Sequence, residues 1–242
     1  MSAAIALSGR RKLSRGEIEM ILTAHERFIS GRPGGKLAAM RFIDFTGVNL
    51  AGRNLQDADL SSSIFDSAIL VGADLSRANL FGCDLRKADL RRANLTRADL
   101  RGACLRGADM SEADLTQADF RVGQVAMPHP SKGLTSLIHH QRSGELDHAK
   151  LNGANLDGAI MDWADVSGAN LEGARLVDAV LTGVEIRTAR ISGANLDGCL
   201  SAPSQEAMDM ADELHARALA NQTWCKTGGK EGKPAAFDNL DL

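Results

Sequence analysis

The sequence predicts an all-β solenoid, a chain that turns one corner every five residues and winds its coils into a parallel β-helix. Through residues 77–105, RANLFGCDLRKADLRRANLTRADLRGACL, a leucine stands at every fifth position with a small residue two places before it. Five residues advance about 500° around an α-helix, so such leucines would spiral around the cylinder and form no apolar stripe. On a flat strand five is an odd step, so alternate leucines would face opposite sides of the sheet. A chain that makes one corner per repeat satisfies every repeat at once, with the leucine and the small residue inside and the residue between them outside. The aromatic content of 4%, with no tyrosine, agrees with this: the core must be narrow and filled by leucine and alanine.

The elements follow in chain order. Residues 1–40 carry seven Lys/Arg against three Glu and hold one helical stretch, SRGEIEMILTAHERFIS at 14–30. Ser14 and Glu17 have capping-box spacing, and Ile18, Ile21, Leu22 and Ile29 with His25 line one face. The open end of a solenoid exposes unpaired strand edges, so this segment reads as a tail and capping helix; a docking or dimerising helix is the alternative.

Residues 41–121 form a first repeat block. Its large apolar centres run unbroken from Phe45 through Leu50, Leu55 and so on to Leu115 and Phe120, sixteen in all. Ala precedes most of them by two, with Ser63 and Cys83 as small replacements, while Ile43, Val48 and Arg53 are irregular. Residues 122–146, beginning VGQVAMPHPSKGLTSLIHHQRSGE, break the pattern and are longer than an ordinary connection. Leu134, Leu137 and Ile138 read there as one apolar face of a short helix. A second block follows at 147–201, with ten centres from Leu151 to Leu196, or eleven if Leu146 counts. Its centres are displaced by one residue from multiples of five, which marks the break as an insertion.

Residues 202–225 read as a second helix after Pro203, either a cap or a dimerising element. The tail at 226–242 completes WCKTGGKEGKPAAFDNLDL, which resembles the lead-in to the first block, FISGRPGGKLAAMRFIDF. Helix and tail together offer a route to a homodimer.

The A(D/N)LXX repeats resemble the pentapeptide-repeat family over residues 43–120 and about 149–198. That resemblance implies a right-handed quadrilateral parallel β-helix, four repeats to a coil, in two blocks of about four and two and a half coils. With twenty residues per coil, Asp59, Asn79, Asp99 and Asp119 form one column, and Ser61, Phe81, Arg101 and Arg121 another. Family members that protect or inhibit type II topoisomerases often use loops projecting from the solenoid, which draws attention to the insertion.

Chemistry is sparse. The aspartates recur at the outward slot of most repeats and make a solvated face, not acid/base pairs. His129, His139, His140 and His148 cluster around the insertion without cysteines nearby, so no metal site is expected, nor any cofactor. The GxG fragments lack the strand–turn–helix setting of a phosphate loop. No nucleophile–base constellation exists, and no enzyme is expected. Cys83, Cys104, Cys199 and Cys225 have no CxxC spacing and read as reduced thiols of a cytoplasmic protein. No apolar run of about 18 residues is present, so no membrane span is expected. Net charge is −3, and no segment is basic enough for direct nucleic-acid binding.

Ile160 and Val180 are apolar in outward slots twenty residues apart, with Trp163 at a nearby corner. These three, with Leu134, Leu137 and Ile138, are the candidate interaction residues. The expected function is a non-catalytic scaffold that binds a protein partner the sequence does not identify. The alternative is a DNA-mimicking binder of a type II topoisomerase such as gyrase. The first block carries eleven Lys/Arg against twelve acids and the second four against eight, a poor match to the dense negative charge mimicry needs.

Overall fold

The computed structural model describes residues 10–129, 133–138, 143–201, 205–228, 230–231 and 233–234, with side chains described outside 124–143 and 205–214. The chain divides into two compact units, Met1–Ser201 and Ala202–Leu242.

The first unit is the solenoid, and its logic is visible in the backbone of one repeat. Asp99 N–H donates to Ala78 O at 3.0 Å in the coil before, while Leu100 N–H and Gly102 N–H donate to Asp119 O and Arg121 O in the coil after, at 2.9 and 3.0 Å. Ala103 N–H closes a β-turn onto Leu100 O at 3.0 Å. The fifth donor, Arg101 N–H, is taken by the Asp99 carboxylate at 3.1 Å. Every N–H of the repeat is therefore satisfied, three between coils and two at the corner, as buried backbone requires. Each side of a coil contributes one bridged residue, so most of the ladder consists of isolated parallel bridges spaced twenty residues apart, as in Asp59↔Asn79 and Asn79↔Asp99.

The corner explains two features of the composition. Asp or Asn before the centre accepts from the N–H two residues on, as at Asn94–Thr96 (3.1 Å) and Asn155–Asp157 (3.1 Å). The aspartate slot is thus an Asx turn that holds the corner. The second residue after most centres adopts a left-handed backbone: Gly102 at φ 65° and Gly173 at φ 66°, but also Arg92 at 58° and Trp163 at 59°. That is the geometry of a type II turn, which glycine adopts without strain. Inside, every centre from Phe45 to Leu181 is buried, with Ala58 to Ala179 filling the small slots between them.

Helix α1, Arg15–Ile29, closes the start of the tube. Ser14 and Glu17 form the reciprocal capping box, and Ile18, Leu22 and His25 are buried. The imidazole Nδ1 accepts from Ala38 N–H at 3.1 Å, and Nε2 lies buried with no partner in hydrogen-bonding geometry. The irregular members of the first coil lie near this end of the tube. Ile43 and Val48 pack partly buried against the core. Arg53, in a slot elsewhere given to alanine, extends to α1 and pairs with Glu26 at 2.9 Å and Glu19 at 2.8 Å.

At residue 121 the ladder offset changes. Asp99↔Asp119 is a step of 20, whereas Cys104↔Glu145, Asp114↔Asn155 and Asp119↔Ile160 are steps of 41, and Ile160↔Val180 returns to 20. Twenty-one residues are thus looped out while the coils continue to stack. The loop contains an antiparallel hairpin of β1, Gln124–His129, and β2, Gly133–Ile138, with Val125 opposite Leu137 and Pro128 opposite Leu134. The helix expected around Leu134, Leu137 and Ile138 is therefore a strand. A lone helical turn over residues 133–138 cannot meet the cost of helix nucleation, whereas pairing with β1 supplies backbone partners immediately. Past the insertion, β3 (Ser143–Glu145) pairs in parallel with β4 (Ala164–Asp165), and β5 (Val180–Leu181) with β6 (Leu200–Ser201). Leu146 is a buried centre. In the last coil Ile186, Ile191 and Leu196 are only partly buried.

The second unit holds α2, Gln205–Lys226. No described helix is long and apolar enough to cross a membrane. The tail from 235 onward lies outside the described residues.

Candidate interaction surface

Because Asp119 bridges Ile160, the corner after Phe120 lies directly against the corner after Met161. The first of these corners is where the hairpin leaves the tube; the second carries Trp163. The exit and return are glycines for want of room. A Cβ on Gly123 would stand 2.9 Å from Arg101 O and 3.0 Å from the Phe81 ring, and one on Gly144 would stand 3.1 Å from Phe120 Cβ.

Trp163 is 68% exposed. Its indole lies over Gly183 in the next coil so closely that a Cβ there would be 2.4 Å from two ring carbons. Beside this corner runs an apolar ladder, Ile160↔Val180↔Leu200, which continues the column whose earlier members are Asp59, Asn79, Asp99 and Asp119. Ile160 and Val180 are half-buried and Leu200 is largely exposed. Val122, exposed at the hairpin root, joins them. Leu200 and Val122 were not among the sequence candidates, although counting twenty on from Val180 reaches Leu200. Ile160, Trp163 and Val180 are brought together at one edge. Leu134, Leu137 and Ile138 belong to the hairpin that departs from it, and their side chains lie outside those described.

Elsewhere Phe42 and Ile69 are also exposed, but many charges of the first block lie in pairs. Arg86, Arg91, Arg101 and Arg121 each lie on the aspartate two residues earlier, at 2.5–2.7 Å. Arg77 reaches Asp57 in the previous coil at 2.6 Å, and Arg106 reaches Asp147 in the next at 2.8 Å. Arg101 also lies 5.6 Å from the Phe81 ring centroid. The arginine hydrogen bonds hold Asp57 and Asp89 below the usual carboxylate range. A shallow groove of about 220 Å³ is lined by Val71, Arg91, Arg92, Ser111 and Glu112. Both its arginines are already engaged, by Asp89 and Glu112, which leaves no open anion site.

The thiols are unreactive where they are enclosed. Burial pushes Cys83 to about 12, and burial with the neighbouring Glu145 carboxylate pushes Cys104 to about 12. All four cysteines are free. Among the described residues no cluster of His, Cys, Asp or Glu could hold a metal ion. His148 rests 3.5 Å from Asp147, and the side chains of His129, His139 and His140 lie outside those described.

A family profile agrees with the repeat pattern. The profile described as "Pentapeptide repeats" matches in eight copies, spanning residues 43–121 and 145–200, more than half of the chain. Among solved structures, a pentapeptide repeat protein from the Arabidopsis thaliana thylakoid lumen is 30% identical over 34% of this chain and 65% of its own, with a TM-score of 0.31. QnrB1, a plasmid-mediated fluoroquinolone resistance protein, is 16% identical over 73% of this chain and 96% of its own, at 0.38. HetL of Nostoc sp. strain PCC 7120, a pentapeptide repeat protein involved in heterocyst differentiation regulation, is 27% identical over 78% and 94%, at 0.17. None of the curated proteins matches the sequence.

Proposed function

This chain belongs to the pentapeptide-repeat family, and we propose that it is a non-catalytic scaffold whose right-handed, four-sided tube binds a protein partner along one edge. The convergence of the hairpin root, Trp163 and the Ile160–Val180–Leu200 ladder at that edge carries the reading. An apolar patch framed by paired charges is suited to a partner's apolar surface, with a projecting loop to select it. The free cysteines favour a reducing compartment, the cytoplasm.

DNA mimicry asks for dense, unneutralised negative charge, whereas Asp84, Asp89, Asp99 and Asp119 each hold an arginine. A gyrase supercoiling assay is accordingly expected to show no inhibition; clear inhibition would favour mimicry over the scaffold. The edge itself is tested by quantitative pull-down from the native cell with the unaltered chain, Val180→Asp and Arg97→Ala. A partner retained by Arg97→Ala and lost by Val180→Asp supports the surface, provided both variants keep the far-UV spectrum of the unaltered chain. Equal retention by both variants contradicts it.

A further inference from the structure

The two helices are followed by the same chain reversal. After α1 the backbone passes through Gly31 at φ 67°, whose N–H returns three residues to Phe28 O at 3.0 Å. The chain then doubles back along the helix until Lys36 N–H donates to Ala24 O at 2.9 Å. After α2 it passes through Gly228 at φ 62°, whose N–H returns three residues to Cys225 O at 3.4 Å, and it doubles back until Lys233 N–H donates to Ala220 O at 3.3 Å. A hydroxyl just past each helix donates into its last turn, Ser30 to Arg27 O at 3.2 Å and Thr227 to Thr223 O at 2.9 Å. With one extra residue in the second loop, Ala24 aligns with Ala220, Phe28 with Trp224 and Lys36-Leu-Ala-Ala with Lys233-Pro-Ala-Ala.

In the first unit this arrangement has a clear task. It lays α1 over the apolar opening of the first coil and then feeds the chain in as the coil's edge, with Met40 N–H on Asp59 O at 2.7 Å and Asp59 N–H on Ala38 O at 2.9 Å. A helix made only to pair with another helix would not need the reversal or the lead-in behind it. We infer that the unit Ala202–Leu242 is a second start cap, a surface built to close the opening coil of a pentapeptide-repeat tube. The differences between the two caps describe that coil. Glu19 and Glu26, which hold Arg53, align with His215 and Gln222, so the coil carries no arginine in the slot of Arg53. Leu22 aligns with Ala218, so the coil presents a bulkier apolar residue opposite it.

The inference is independent of the edge proposed above and is tested without reference to it. In the full chain carrying Arg53→Ala, residues 15–41 are replaced by residues 211–238, which keeps the lead-in register. Thermal unfolding and amide exchange of Asp59 and Ile64 are compared with the Arg53→Ala chain and with a graft whose helix sequence is scrambled. A third graft carries Ala218→Leu, which restores the bulk of Leu22 opposite this coil. A start cap gives that graft a midpoint within about 5 °C of the Arg53→Ala chain and keeps both amides protected, with the unsubstituted graft between it and the scrambled one. If neither graft is better than the scrambled one, or neither folds, the inference is overturned.

Discussion

Trp163→Gly removes the most exposed large apolar side chain among the described residues and gives the corner the residue type of Gly102 and Gly183. With 68% of Trp163 exposed, about a third of a side chain that buries up to about 250 Å² is covered, roughly 80 Å². At about 25 cal/mol/Å² its loss costs about 2 kcal/mol. Relief of the left-handed backbone at φ 59° returns about 1–2 kcal/mol. The larger unfolded-state entropy of glycine costs a further 0.5–1 kcal/mol or so. The net destabilisation is about 1 kcal/mol, a midpoint shift of about 2–4 °C for a chain of this size, while partner capture is lost altogether. Urea unfolding followed by far-UV circular dichroism, beside the pull-down, reads both. A loss of about 3–5 kcal/mol, as for an aromatic residue in a core, would show Trp163 to be a packing residue and refute the reasoning.

Three further outcomes follow from the fold. Leu95→Ala, at a fully buried centre, should cost about 2–5 kcal/mol in the same urea titration, and a cost below about 1 kcal/mol would contradict the inward register. Arg53→Ala should cost about 1–2 kcal/mol by leaving Glu19 and Glu26 without their partner, and amide exchange should show α1 loosening before the coils; uniform loosening would count against the clamp. His25 is held below the ordinary histidine range by burial, with Glu26 and Asp57 opposing. The folded state therefore binds fewer protons than the unfolded one, so stability should fall as pH drops below about 6.5 and level off once the buried imidazole also protonates. His25→Gln should flatten that slope in urea titrations between pH 8 and 5, and an unchanged slope would remove His25 as its source.

Much of the tube was legible because one interaction pattern repeats. A leucine centre, a small residue two before it and an Asx-turn residue between them recur often enough that the period stands out against any single irregular repeat. The irregular positions were the informative ones, yet the sequence presents them as noise. Arg53 looks like a poor repeat until α1 is seen beside it, because its partners Glu19 and Glu26 lie about thirty residues earlier in the chain. The hairpin was not legible either, since apolar residues at 134, 137 and 138 fit a helical turn as well as a strand and local sequence does not reveal the partner strand. Displacement of the second block by one residue disclosed an insertion. It could not disclose that the coils close up across it, and that closure is what sets Trp163 against the hairpin root.

The stacking across the insertion is therefore the point on which the surface depends. Native-state hydrogen exchange tests it directly at the amides of Lys150, Asn155 and Ile160, which donate to Ala108, Ala113 and Ala118 across the junction at 2.9 Å. If the tube is continuous, these amides share the slow exchange of Asn94 and Asp99 in the first block and open with them as one cooperative unit. Fast exchange at the three, or opening of residues 145–200 separately from residues 43–121, would contradict the continuous tube and the edge built on it.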